Sequence, residues 1–311
     1  MTTNKELYKQ FCDQEDVPLF IQYEWFNAIY RDDEWNVAVE KKGNDIVAIL
    51  PYVVSKKKSF KIITPQFLSP YQGVWVKYPA GQKYASKIGY EKDIINGLIT
   101  QLPQIDAFKQ NFLPSFTNWM PFNWKGYDQS TRYTYIINDI SDTKKVFIDF
   151  KDNIRREIRK AEKQLTIEVV NNIDLMFEMK QKIYNENNDT YPISLSKLKT
   201  LFNYCFDNKC GELIVAKDEE GNIHSILLYV WDRQSAYYLH GVTASEFKTT
   251  GSMSLLLWEA IKRSSLKTKA FNFEGSMVES IERYFRAFGG KQTPYFQIRK
   301  TDSKMLKLLN Y

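Results

Sequence analysis

Histidine is nearly absent from this 311-residue chain, in which only His224 and His240 occur. A metal site built from several imidazoles is therefore excluded, and a serine triad would have to recruit one of two residues in strand-like segments. Cysteine is almost as scarce. Cys12, Cys205 and Cys210 make no paired framework, and the last two have neither zinc-ligand spacing nor histidines nearby, so they read as reduced core thiols. No apolar run approaches the roughly 18 residues of a membrane span. The opening Met1-Thr-Thr-Asn-Lys-Glu6 lacks the apolar centre of a signal peptide, so a cytoplasmic location is expected. Also missing are a GxSxG elbow, a GxxxxGK[ST] loop and a GxGxxG turn after a strand, which removes support for the common hydrolase, nucleotide-hydrolysing and dehydrogenase readings.

What is present describes an ordered globule. Hydrophobic residues make up 43%, aromatics 15% and charged residues 26%, and the net charge of +6 permits an anionic ligand without demanding nucleic acid. The length suits two domains of about 150 residues each. An internal similarity supports two. Gly43-Asn-Asp-Ile-Val-Ala-Ile-Leu-Pro-Tyr-Val53 matches Gly221-Asn-Ile-His-Ser-Ile-Leu-Leu-Tyr-Val230 at most positions once Asp45 is skipped. Each copy follows a short apolar strand, so each reads as a hairpin closing on Gly-Asn. Chance convergence of hairpin turns would explain the match equally well on pattern alone, but a separation of more than half the chain favours tandem domains. The boundary is drawn in the polar stretch Asn138–Asp142, giving domains 1–140 and 141–311.

In the second half the spacing predicts a basic helix from Phe150 to Gln164, a strand over 166–170, helices over 175–187 and 194–206, and a meander of strands over 212–216, 222–230 and 236–242. A helix over 252–263 follows, with Met253, Leu256, Leu257, Ala260 and Ile261 inward. Next comes Phe271-Asn-Phe-Glu-Gly-Ser276, read as a buried strand that breaks at Gly275 into a helix with a Ser276/Glu279 capping box, and a last strand covers 294–299. That helix presents Met277, Ile281, Phe285 and Phe288 on one face, with Arg283 and Arg286 off it, and ends at Gly289-Gly290.

This element order resembles the GNAT acyltransferase superfamily. The segment 278–290 loosely resembles the family's closing Asn-x-x-Ala-x-x-x-Tyr-x-x-x-Gly-Phe pattern, with Phe285 where the tyrosine acid often stands, and a phenylalanine cannot donate a proton. Lys248-Thr-Thr-Gly251-Ser-Met253 occupies the place of the pyrophosphate loop, with Lys for Arg/Gln and Met for the last small residue, so Lys248, Gly251 and Ser252 are the implied donor-binding residues. A closer resemblance is to the tandem Fem-type branch, aminoacyl-tRNA-dependent transferases that add amino acids to peptidoglycan precursors. It rests on Arg155-Arg-Glu-Ile-Arg-Lys-Ala-Glu-Lys163 and on Phe285-Arg286-Ala-Phe288. The resemblance implies an α/β (α+β) fold of two tandem GNAT-like domains, each a mixed, mostly antiparallel sheet flanked by helices. The implied activity is N-acyl transfer from acyl-CoA or aminoacyl-tRNA to an amine of a small-molecule, sugar-type or lipid-linked cell-envelope acceptor. A non-catalytic module binding a phosphorylated ligand or RNA is the rival reading, and tRNA is a candidate partner. In Fem-like proteins the acceptor lies between the domains, which makes Tyr71, Gln72 and Gly73 of the two-proline loop 65–73 candidates for acceptor contact, or else a rigid connector.

Acyl transfer to an amine needs a base, donors for the developing oxyanion and cations for a phosphorylated donor or acceptor. In the family arrangement two parallel strands splay, so Tyr238-Leu-His240-Gly241-Val242 would be one edge, with a freed amide near Gly241. Arg155, Arg159 and Arg286 suit bidentate phosphate contacts, against the alternatives of a solvated helix face and a Glu282–Arg286 surface pair. Glu274 and His240 are the candidate catalytic residues. The competing roles are a carboxylate stabilised at a helix start and a histidine packed in a strand.

Overall fold

The computed structural model describes residues 2–275 and 277–308, and the expected cap at Ser276 lies outside the described residues. The chain divides into two compact units. One comprises Met1–Arg132 with Pro294–Tyr311, and the other comprises Tyr133–Thr293. The elements in chain order are α1 (Asn4–Gln14), α2 (Tyr23–Ile29), β1 (Trp35–Lys42), β2 (Asp45–Lys57), β3 (Phe60–Thr64), β4 (Trp75–Val76), α3 (Tyr84–Thr100), β5 (Ala107–Asn111), α4 (Met120–Trp124) and β6 (Asp128–Ile137). They continue with α5 (Thr143–Asp149), α6 (Asp152–Ala161), β7 (Thr166–Val169), α7 (Asp174–Glu186), α8 (Leu195–Asp207), β8 (Gly211–Lys217), β9 (Ile223–Trp231) and β10 (Ser235–Thr243). The last are α9 (Ser252–Ser264), β11 (Ala270–Asn272), α10 (Glu279–Arg286), β12 (Lys291–Thr301) and α11 (Lys304–Leu308). Among the described residues no helix is long and apolar enough to cross a membrane.

The first unit orders its strands β1-β2-β3-β5-β12, with β4 also on β2. The Gly43 hairpin is β1–β2, paired antiparallel from Trp35↔Val53 to Lys42↔Asp45. The crossover through α3 makes β3 and β5 parallel, with Ile62 opposite Ala107. Its apolar cluster holds Leu50, Ile63, Ile94, Leu98, Phe108, Phe112, Phe122 and Ile298, all buried. A buried side chain of this size contributes about 1.5–3 kcal/mol by leaving water. That cluster is distinct from the second unit's.

The second unit orders β6-β11-β10-β9-β8-β7. Its hairpin β8–β9 runs from Gly211↔Val230 to Lys217↔Ile223, and β10–β11 is again a parallel pair joined by a crossover helix, α9. The two similar segments are the turn and second strand of this repeated hairpin, β2 and β9. Residues Leu255, Leu256, Leu257, Ala260 and Ile261 of α9 are all buried, as are Ile154, Ile158 and Ala161 of α6.

Two features depart from expectation. The helix expected from Phe150 is broken: Asp142 caps α5 by accepting from the amides of Lys144 and Lys145, Phe150 is extended, and α6 starts at Asp152. The last strand also leaves the domain in which the sequence reading put it. Pairs Gln297↔Asn111 through Thr301↔Ala107 fix the end of β12 to β5, so residues 294–311 belong to the first unit. Conversely Ile136 and Ile137 of β6 pair with β11 in the second. The chain changes unit within β6 near residue 132, ahead of the boundary drawn at 140.

Candidate functional site

The site in the second unit begins where β10 and β11 part. Their parallel register, Ser235↔Ala270, Ala236↔Phe271 and Tyr237↔Asn272, stops there although β10 runs on to Thr243. On its other side β10 stays bonded to β9, with a register shift between Tyr238 and His240 that bulges Leu239. Beyond Tyr237 the strand therefore offers main-chain groups to a ligand along one edge.

The chain leaving β11 is bent by a small hydrogen-bond relay. The Thr134 hydroxyl donates to the buried Asn272 Oδ1 at 2.6 Å, and the same oxygen accepts the Glu274 amide at 2.8 Å. Glu274 and Gly275 are consecutive left-handed residues at φ 60° and 59°. At Gly275 a Cβ would lie 2.2 Å from the Tyr133 carbonyl oxygen, so only glycine fits. Glutamate in that conformation is strained. Its Oε1 is buried without a hydrogen-bond partner, and burial pushes the carboxyl well above the usual range. The Tyr238 phenol is pushed up too, by burial and then by the Glu274 charge. A Cβ on Gly241 would lie 2.3 Å from the Tyr238 hydroxyl, which explains glycine there.

At the far end of β10, Thr243 lines a cavity of about 320 Å³ with Glu157, Lys248, Gly251, Ser254 and Tyr284. Gly251 is left-handed at φ 76°, and α9 starts after it with no side-chain cap. Its first amides are thus free for an anion, with Lys248 beside them. A Cβ on Gly251 would be 3.0 Å from the Glu157 carbonyl oxygen. Ser252 is buried and its hydroxyl lies 2.7 Å from that of Ser225. The Ser254 hydroxyl lies 3.0 Å from the Tyr284 phenol and donates to Glu157 Oε2 at 3.0 Å. The donor set fits a phosphate at the α9 start, while the Glu157 carboxylate makes the opposite wall acidic.

Residues 149–273 match the model of the acetyltransferase (GNAT) domain. That stretch lies within the second unit. Solved structures resemble nearly the whole chain at low identity. They include a FemX crystal structure (TM-score 0.68, 12% identity, covering 100% of this chain and 99% of that one). Another is the C-terminal domain of a putative lysylphosphatidylglycerol synthetase from Agrobacterium fabrum (TM-score 0.56, 12% identity, 98% and 95% covered). A third is a tandem GNAT protein from the clavulanic acid biosynthesis pathway (TM-score 0.55, 8% identity, 96% and 94% covered). The likeness to these structures is one of fold, and it extends over nearly the whole chain. No curated protein matches it in sequence.

Within the matched stretch Lys248, Gly251 and Ser252 line one cavity. At the splay the Glu274 charge acts on the Tyr238 phenol. His240 is engaged elsewhere: its Nε2 lies 2.6 Å from the Tyr191 hydroxyl, and burial, then the Lys180 charge, brings it down to about 3, so it is uncharged at neutral pH. The arginines do not converge on the cavity. Arg155 is bound to Asp152 and to the Ile148 carbonyl, Arg159 lies over the Phe147 ring, and Arg286 pairs with Glu282 at 2.9 Å. In the first unit, Tyr71 and Gln72 are buried, Tyr71 is edge-on to Tyr295, and Gly73 fits tightly on the Phe112 ring. Two residues escaped the sequence reading. Tyr284 was passed over for its neighbour Phe285, which packs on Tyr238 and Phe273; Lys180 carried no motif. Among the described residues no group of three His, Cys, Asp or Glu side chains could hold a metal.

Proposed function

We propose that this protein is a cytoplasmic N-acyltransferase, moving an acyl group from acyl-CoA or aminoacyl-tRNA to an amine of a cell-envelope or sugar-type acceptor. The observation that carries the reading is Glu274, whose Oε1 is buried without a hydrogen-bond partner and whose charge reaches Tyr238, where the edge of β10 is freed. A base with a raised pKa takes a proton from an ammonium or attacking amine at neutral pH better than an ordinary carboxylate. The amine nitrogen bonds to the acyl carbon, the carbonyl oxygen accepts from main-chain amides of β10, and the bond to the donor sulfur or oxygen breaks. Tyr284, its phenol held protonated by burial and bonded to Ser254, is placed at the cavity to give the leaving atom a proton. Phosphates of the donor would lie at the uncapped α9 start with Lys248.

Aminoacyl transfer is favoured by the likeness to a lysylphosphatidylglycerol synthetase domain, whose name states a lysyl group joined to a phospholipid. Release of CoA thiol or of deacylated tRNA in the presence of an amine panel tests the reading. Amine-dependent release supports it; donor that binds and is never consumed leaves only a binding module.

A further inference from the structure

Lys180 stands on α7, which packs on β10. It is half-buried, and among the described residues it has neither an ion pair nor a hydrogen bond. The charged groups around it on α7 are committed elsewhere. Asp174 pairs with Lys199 at 2.9 Å, Lys182 with Glu246 at 2.9 Å, and Glu186 accepts from Ser245. Glu178 is exposed at a separate cavity of about 280 Å³ shared with Lys182 and Glu246.

The groups that accompany Lys180 are uncharged. Tyr191 is clamped by Phe177 and Tyr184, with ring centroids at 5.6 and 5.2 Å, and its hydroxyl reaches His240 on β10. Burial pulls the Lys180 ammonium down to about 8, and its charge in turn disfavours a proton on His240. A half-buried cation with no ion pair among the described residues costs stability, and an anionic ligand group would relieve that cost. The place matters for chemistry. His240 directly precedes Gly241 on the stretch of β10 that has parted from β11, and α7, which carries Lys180, packs on that strand.

We propose that Lys180 is the anion anchor of the acceptor, so that the amine acylated by this protein carries a carboxylate or a phosphate that pairs with the Lys180 ammonium. The word acceptor rests on the transferase reading above; the anion site does not. Tyr191 and His240 form the uncharged wall that orients the same ligand.

Binding and turnover are to be measured separately on the full chain. In calorimetry, alanyl-alanine and glucosamine 6-phosphate serve as carboxylate and phosphate probes, with alanyl-alanine amide and glucosamine as neutral controls. At least one anionic probe should bind about tenfold or more tightly than its neutral control, and Lys180→Met should erase that margin while Lys180→Arg keeps most of it. The preferred probe tells carboxylate from phosphate. Lys180→Met, which removes a buried charge, should melt no lower than the wild type and bind donor unchanged. Equal binding of charged and neutral probes, or a margin that survives Lys180→Met in folded protein, overturns the proposal. Lys180-dependent binding without turnover from any donor would keep the anion site and count against the transferase reading. Turnover whose preference for charged amines ignores Lys180→Met would do the reverse.

Discussion

The Ser254 hydroxyl lies 3.0 Å from the Tyr284 phenol and 3.0 Å from the Glu157 carboxylate. One side chain on the first turn of α9 therefore holds both the phenol and an acid at the wall of the donor cavity. Tyr284→Phe deletes only a hydroxyl, and the ring's contacts with Phe285 and Phe288 remain. The variant should melt within a few degrees of the wild type and bind donor normally, with kcat down about 100-fold, in line with loss of a positioned general acid. Steady-state kinetics beside a melting curve separates these effects.

Glu274 sets stability against activity. Its carboxyl is raised in the folded protein, so below the unfolded value both states are protonated and nothing is lost. As pH climbs from there toward the raised value, the unfolded chain gives up the proton while the folded state keeps it, so stability falls until both states are ionised. Glu274→Gln removes that penalty. At pH 8 it should unfold at higher denaturant than the wild type, and its kcat should fall about 100-fold or more. Glu274→Gly, which also relieves φ 60°, should be more stable still unless its added chain freedom offsets the gain.

Gly251 tests the donor cavity. A methyl group there sits 3.0 Å from a main-chain oxygen on a backbone at φ 76°, so Gly251→Ala is expected to cost about 1–2 kcal/mol and to shift the start of α9. Donor affinity should drop about tenfold while the first unit's melting is unchanged. Titration with CoA followed by calorimetry reads the first effect, and hydrogen exchange of α3 the second.

Residues 294–301 of β12 complete the first unit's sheet, and Ile298 is fully buried in its core. Truncation after Thr293 should expose β5 and the Phe108–Phe122 cluster, leaving residues 1–132 protease-sensitive. Limited proteolysis with mass mapping reads this. Adding the missing peptide in trans should restore protection.

The second half's elements were legible because each carried a local signal: the period-3.6 face of α9, the apolar run of β9, the Gly-Asn turn before it. Strand partners were not, since β12 is alternating in sequence but nothing in it names β5 rather than β11 as its neighbour. The break at Phe150 was hidden by helical residues on both sides, and the side-chain cap from Asp142 redirected the start. At the site, the loop 248–252 and the strand edge 238–242 were visible, but Tyr284 was masked by a motif that pointed one residue on. Arg155 and Arg286 proved to be paired along their own helices, as the i,i+4 spacing of Glu282 and Arg286 already allowed. Lys180 has no sequence signature, because what distinguishes it is partial burial with no acid paired to it among the described residues.

The decisive measurement is mass spectrometry of amines incubated with the full chain and acetyl-CoA, longer acyl-CoAs or charged tRNA. Acylated amine should accumulate with one donor class and fall about 100-fold or more in Glu274→Gln protein that still binds that donor. Undiminished product in the folded Glu274→Gln variant, or no acylated amine from any donor that binds, would contradict the assignment of the Glu274 edge as the place of acyl transfer.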